Sequence, residues 1–353
     1  MTNLLKGMNW LVGACMVLAP GIFSTAAEEN KLSIRYLGAL PPQCAAERCA
    51  IQMIDSKSGW LYGQSAFWKT GDGGVTWMAA PAPALRLGDS VTGRFIGRSN
   101  GLFLTVSQNL YESEDGGTHW AREGLPHFEG IAQSIWWFDG GPTWLGGGEY
   151  VTSATPDAPN YAMKRDDLGN WQILEAFVFR KENAASAWVK QSLPSGALMI
   201  GQLQFWNKEQ GIAIGDGAVY YTQSGGDHWE RSIFRDAQVP PDDCFDGGAL
   251  ASIFLGSSRR GWLSTDLGCV YQTKDSGKTW SRISSPGTPH FDSFAFVGAG
   301  RGLGIARQSQ LYETLDDGQT WKQVNVGFRP RSFFVLEEHM TWLTSDSGLY
   351  QIR

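Results

Sequence analysis

Charge is scarce in this chain: Asp, Glu, Lys and Arg make up 18% of its 353 residues. Basic residues are the scarcer kind, 29 Lys and Arg against 35 Asp and Glu, for a net charge of −6. A general nucleic-acid binder needs a basic footprint to neutralise phosphates, so no nucleic-acid partner is expected. There are only five Cys, with no Cys-x-x-Cys pair, and His119, His127, His228, His290 and His339 never cluster. That argues against a metal site, and nothing else calls for a cofactor. Long apolar runs are also missing after the first 27 residues. The chain is nevertheless 42% hydrophobic, too apolar to stay disordered. What it has in abundance is Gly (44) and Trp (16), a combination that points to repeated tight turns, each with an aromatic plug.

The N-terminus reads as a targeting segment rather than part of the fold. Lys6 supplies the positive region, Met8 to Phe23 the apolar core, and Thr25 with Ala27 the small residues of a cleavage site after Ala27. Two other readings exist, a retained anchor and lipidation at Cys15, but the apolar segment runs well past that cysteine. Export to a periplasm or to the cell exterior leaves Cys44, Cys49, Cys244 and Cys269, an even number in an oxidising compartment. Four cysteines allow three connectivities; proximity favours Cys44–Cys49 and Cys244–Cys269.

A repeat runs through the rest of the chain. Thr-Gly-Asp-Gly-Gly-Val-Thr-Trp at 70–77, with Asp72 and Trp77, recurs at 113–120 with Asp115 and Trp120. It recurs again at 273–280 with Asp275 and Trp280, and at 314–321 with Asp316 and Trp321. A fifth copy, 222–229, ends at Trp229 but carries Ser224 in place of the Asp. A sixth is assigned to 166–171, where Asp166 and Trp171 remain and the Gly is displaced. The closing Trp residues are then 43, 51, 58, 51 and 41 residues apart. Before each box lie short apolar or alternating runs separated by turn residues, the pattern of strands. Each unit therefore reads as four antiparallel strands, a to d, with the box at the c–d turn. The Gly residues allow positive φ, the Asp accepts hydrogen bonds from the turn's own N–H groups, and the Trp covers the hairpin. This is the Asp-box, or BNR repeat, and its Asp is a fold element rather than a catalytic acid.

After the last box, strands a, b and c recur at 332–335, 341–344 and 348–352, and the chain ends one strand short. Residues 31–37 supply a candidate for the missing outer strand, which would clip the ring shut and remove exposed sheet edges. The expectation is an all-β, single-domain, seven-bladed β-propeller over residues 28–353, with 1–27 a signal peptide.

Such a ring of Asp-box units resembles the photosystem II stability/assembly factor family of exported BNR propellers, over about residues 31–353. The resemblance implies a non-enzymatic factor that binds a protein partner, a membrane or envelope assembly intermediate; a monomer is expected. The alternative is a carbohydrate-active propeller, sialidase-like or sugar-binding. Sialidase chemistry needs an arginine trio and a Tyr nucleophile. Its Arg-Ile-Pro signature is absent, and the nearest string is Phe328-Arg329-Pro330.

Loops from d to a and from b to c share one face of a propeller, where binding is expected. Equivalent b–c positions are Gln64, Ser107, Gly148, Asp216, Asp266, Arg307 and Asp346, which together suggest a polar mouth. Two long d–a connections are assigned to 177–194 and 234–248. Basic residues gather at Arg94 and Arg98, at Arg329 and Arg331, and, in a–b turns on the opposite face, at Arg259, Arg260 and Arg301. Guanidinium forks would grip acidic segments of a partner. Trp136 and Trp137 read as half core and half channel lining, with a sugar platform as the alternative.

Overall fold

The computed structural model describes residues 32–353 except 48, 65, 87–88, 154–162, 166–170, 195–198, 216–217, 236–249, 257–258, 285–286, 299 and 338–339. The signal-peptide assignment to 1–27 lies outside them.

Seven separate sheets form the blades of the propeller. Blade 1 is Ala50–Met53, Gly59–Tyr62, Phe67–Thr70 and Met78–Ala80, in strand order a to d. Blade 2 is Val91–Ile96, Asn100–Thr105, Leu110–Ser113 and Ala121–Glu123. In blade 3, strand a is Gly130–Trp137, b is Thr143–Ser153, c is Trp171–Lys181 and d is Val189–Gln191, with Met163–Arg165 pairing the start of c. Blade 4 is Ile200–Phe205, Gly211–Gly215, Ala218–Thr222 and Trp229–Arg231. Blade 5 is Leu250–Leu255, Gly261–Thr265, Val270–Thr273 and Thr279–Arg282, and Ile233–Arg235 adds a parallel fifth strand outside its strand d. Blade 6 is Phe291–Phe296, Gly302–Ala306, Gln310–Thr314 and Lys322–Val324. Blade 7 takes Pro330–Glu337, Met340–Ser345 and Leu349–Ile352 from the C-terminus. Its outer strand is Ile34–Gly38, antiparallel to Leu349–Ile352 with Ile34 opposite Ile352.

The boxes fold as their residue types demand. Asp72 Oδ1 accepts from the N–H groups of Val75 (3.0 Å) and Thr76 (2.9 Å), and Oδ2 accepts from Thr76 Oγ1 (2.6 Å). Asp275 and Asp316 repeat this with Thr279 and Thr320, and Asp115 with the backbone and ring of His119. In the fifth copy the Ser224 hydroxyl accepts from His228 N–H at 2.9 Å and lies 3.4 Å from Thr222 Oγ1, fewer bonds than a carboxylate takes. Gly74 sits at φ +96°, and a Cβ there would come within 2.4 Å of Leu349 Cδ2 in blade 7, so the box requires glycine for both backbone and packing.

The sixth box lies elsewhere than the sequence suggested. Strand c of blade 3 runs through Trp171 to Lys181, so its c–d turn is 182–188, not 166–171. There Asn183 takes the Asp position, its Oδ1 accepting from Ala185 N–H (3.0 Å) and Ser186 Oγ (2.9 Å). Trp188 takes the closing position: its Nε1 donates to Gly124 O at 3.0 Å, just past strand d of blade 2, as Trp120 Nε1 donates to Pro81 O just past strand d of blade 1. Residues 177–194 are therefore mostly strand c, box and strand d, not a d–a connection. The extra length falls instead in the b–c hairpin, whose strands have 11 residues each.

The core lies between blades. One buried cluster joins Trp144 of blade 3 to Leu203 and Phe205 of blade 4; another joins Ile212 and Tyr221 of blade 4 to Leu263 and Trp280 of blade 5. The strand-b tryptophans make two kinds of contact with the next blade. Trp60, Trp144 and Trp262 stack on Phe95, Phe205 and Phe296 of the next blade at centroid distances of 4.1, 3.9 and 3.8 Å. Trp144, Trp262 and Trp342 each donate their N–H to the residue after the box Asp position in the next blade: Gly225, Asp317 and Gly73. Blades 2, 4 and 6 carry Leu102, Ile212 and Leu303 at that place. Amides add further stitches, with Gln52 exchanging two hydrogen bonds with the Phe95 backbone and Gln108 doing the same with Ala132.

Cys44 and Cys49 are bonded, inside the cluster that joins blade 7 to blade 1. Cys269 is also disulfide-bonded, and its expected partner Cys244 lies outside the described residues. Among the described residues no helix is long and apolar enough to cross a membrane, and no group of His, Cys, Asp and Glu is placed to hold a metal.

Candidate functional site

The face carrying the b–c turns is built by one recurring contact. The residue after strand b donates its N–H to the carbonyl just ahead of strand a in the same blade, as Val106 to Ser90, Arg307 to His290 and Asp346 to Arg329. Side chains then brace these turns. Asp89 accepts from Ser107 N–H (3.0 Å) and Oγ (2.8 Å), and Asp346 Oδ1 accepts from Arg329 N–H (3.0 Å). His290 Nδ1 lies 2.6 Å from the Asp266 carbonyl, tying blade 6 to the turn of blade 5. Arg331 Nη1 donates to Ala45 O on the short helix Pro42–Glu47, fastening blade 7 to the link into blade 1.

Of the expected ring positions, Gln64, Ser107, Asp266, Arg307 and Asp346 do occupy b–c turns, and Asp216 lies outside the described residues. Gly148 does not: it pairs with Ile131 and Ala176 inside the long hairpin of blade 3, because strand b there continues to Ser153. Arg307 with His290, Gln308, Gln310 and Tyr312 lines a cavity of about 550 Å³. The sequence reading missed His290, whose placement before strand a of blade 6 was its available signal. It also missed the blade 3 hairpin, concealed by the misplaced box.

On the opposite face the arginines are already engaged. Arg260 pairs with Asp317 of the blade 6 box at 2.6 Å, and Arg301 with Glu313 at 2.8 Å. Arg259 is exposed at a φ of 66°. The three do not make a free cationic patch, because two guanidiniums serve as structural ties. Arg180 does the same work between blades 3 and 4 through Asp227 at 2.7 Å. Arg98 pairs with Asp55 at 2.7 Å, while Arg94 lies 3.8 Å over the Trp136 ring and donates to Trp137 O. Burial lowers the Arg94 pKa to about 10, which leaves it charged at neutral pH. Trp137 is buried, whereas Trp136 is only partly so and faces a cavity.

Comparison with known proteins places this architecture. A family model described as photosynthesis system II assembly factor YCF48 matches residues 180–327, from the end of strand c in blade 3 to the end of blade 6. The curated photosystem II assembly lipoprotein Ycf48 of Synechococcus sp. (strain CC9902) is 25% identical over 221 residues, 62% of this chain. The chain is an Asp-box propeller similar to the photosystem II assembly factors. It spans 56% of the length of that curated relative. Among solved structures, YCF48 bound to D1 peptide superposes with a TM-score of 0.61 at 16% identity, covering 92% of this chain and 94% of that one. A streptogramin B lyase superposes with a TM-score of 0.62 at 10% identity, over 91% of this chain and 97% of the lyase. At such identities the likeness is one of fold, and this fold carries binding proteins and enzymes alike.

Proposed function

We propose that this propeller is an exported, non-enzymatic scaffold that binds a protein partner, a segment of a membrane or envelope protein undergoing assembly. The observation that carries the reading is the match to the photosystem II assembly factor model over residues 180–327, joined to a fold shared with a propeller solved in complex with a peptide. The recognition surface we assign is the b–c face. Its turns are braced by backbone and side-chain bonds, so Arg307, Arg329, His290 and the carboxylates of Asp266 and Asp346 are presented on a rigid frame. Asp216 belongs to the same proposed ring. Arg259, Arg260 and Arg301 serve the opposite face, where only Arg259 has a guanidinium not committed to an ion pair among the described residues. The 11-residue strands of blade 3 extend the b–c face and give an extended segment a wall to lie against. We place the mature chain, from residue 28 onward, outside the cytoplasm as a monomer.

The test is crosslinking in cells, followed by purification from envelope fractions, for the native chain beside an Arg307→Ala/Arg329→Ala variant. Specific recovery of one membrane protein, lost in the variant, supports the reading; recovery of none, or equal recovery by both, overturns it. Turnover of aryl glycosides that is abolished by Asp266→Asn would establish a carbohydrate-active enzyme instead.

A further inference from the structure

The face opposite the b–c turns holds a cavity of about 800 Å³ that spans three blades, at the end of strand a in blade 3 and at the strand a ends and a–b turns of blades 4 and 5. That is the size of a small-molecule site. Its lining combines three kinds of group. Trp136, Trp206 and Phe254 supply aromatic rings. The tryptophans are held in place, Trp136 under the Arg94 guanidinium at 3.8 Å and Trp206 by donation of its Nε1 to Arg260 O at 3.0 Å. Gln204 and Gln210 supply side-chain amides. Gln204 has no side-chain partner among the described residues. Gln210 Oε1 already accepts from Ser276 Oγ (3.2 Å) and Asn207 Nδ2 (3.3 Å), which leaves its Nε2 to donate. Glu209 and Arg259 supply one negative and one positive charge, so the lining is balanced and favours neither an anion nor a cation.

From this we infer a binding site for a neutral oligosaccharide. Fixed aromatic rings offer flat apolar surfaces to the C–H face of a pyranose, while amides provide both donors and acceptors to its hydroxyls. A purely apolar ligand would leave the Gln204 amide and Gln210 Nε2 unpaired on binding, and a charged ligand would meet a charge of its own sign beside the opposite one. Because the rings are already held, little ordering entropy is lost when the ligand arrives. The site lies on the opposite face from the proposed protein-binding surface and does not rest on that reading.

Titration calorimetry and saturation-transfer NMR on the purified full chain test it, with cello-, malto-, manno- and chito-oligosaccharides of two to four units as probes. Saturable binding by at least one neutral series is expected. Affinity should fall about tenfold or more in Trp136→Ala and severalfold in Gln204→Ala, the latter removing an uncommitted side chain and leaving the fold intact. Arg307→Ala, on the other face, should bind the saccharide as the native chain does, whatever its effect on protein partners. Absence of saturable binding across the panel overturns the inference. So does binding left unchanged by Trp136→Ala and Gln204→Ala, or a clear preference for anionic over neutral saccharides.

Discussion

The indole nitrogen of Trp342 donates to the main-chain carbonyl of Gly73 at 2.9 Å, joining the last blade to the box of the first across 269 residues of sequence. Trp342 is fully buried, so its loss would leave that carbonyl unpaired in the interior. Trp342→Phe keeps an aromatic ring and removes the donor; it should cost about 1–3 kcal/mol in denaturant unfolding. Trp60 provides the internal control. It holds the same strand-b position, stacked on Phe95 where Trp342 packs among Met53 and Leu349, but its Nε1 has no partner among the described residues, so Trp60→Phe should cost less. Equal losses in the two variants would show that ring packing alone matters.

Ring closure makes a second prediction. Ile34–Gly38 is the outer strand of blade 7, and without it Leu349–Ile352 becomes an exposed edge beside the blade 1 interface. Deleting residues 34–38 should lower the melting temperature by many degrees and promote association through the bared edge. A deletion variant that melts as the native chain does, and stays monomeric in light scattering, would show that the C-terminal strands close the ring unaided.

The blade count and the closure were legible because their determinants are local: a hairpin box is written in eight consecutive residues. The third blade was not, and the reason is chemical. Asn183 and Ala185 stand where Asp and Gly stand in the other boxes, while Asp166 and Trp171 supplied the familiar letters in the wrong place. The spacing held a clue, since Trp188 precedes Trp229 by 41 residues, close to the 43 and 41 of well-formed neighbours. The b–c turns were legible as hairpin turns. The fate of the arginines was not, because Arg260 finds Asp317 57 residues away through the approach of two blades, which no local pattern encodes. The aromatic cavity was missed for the same reason, apart from Trp136, since its walls come from three blades.

The reassigned box can be tested through Asn183. Its Oδ1 takes two hydrogen bonds within the turn, whereas each well-formed box has a carboxylate that takes three or more. Asn183→Ala should destabilise by about 1 kcal/mol, as loss of a capping acceptor does. Asn183→Asp should be neutral or stabilising, by about 0.5 kcal/mol, since charge strengthens bonds from backbone N–H groups. Urea melts of the two variants decide the matter; an Asn183→Ala protein as stable as the native one would remove residues 182–188 from the list of boxes.

Acid should loosen the boxes together. In Asp72 the hydrogen bonds from the Thr76 side chain and backbone bring the carboxyl from 3.8 down to about 2. In Asp275 and Asp316 burial opposes ionisation, but the bonds from Thr279 and Thr320 outweigh it and the net shift is downward; Asp115 is lowered by the backbone and ring of His119. A carboxyl whose folded pKa lies below its unfolded one contributes stability that is complete above the unfolded pKa and lost as pH falls through the folded one. For Asp72 that window runs from 3.8 to about 2. The melting temperature should therefore stay level down to about pH 5 and fall steadily from there toward pH 2. Asp72 is solvent-exposed, so its own share is modest and the fall reflects several boxes acting together. Asp72→Asn, stable to protonation, should lower stability at pH 7 and shallow the acid limb. If the acid limb keeps its native slope in Asp72→Asn and in a double variant with Asp316→Asn, the box carboxylates are not what acid attacks.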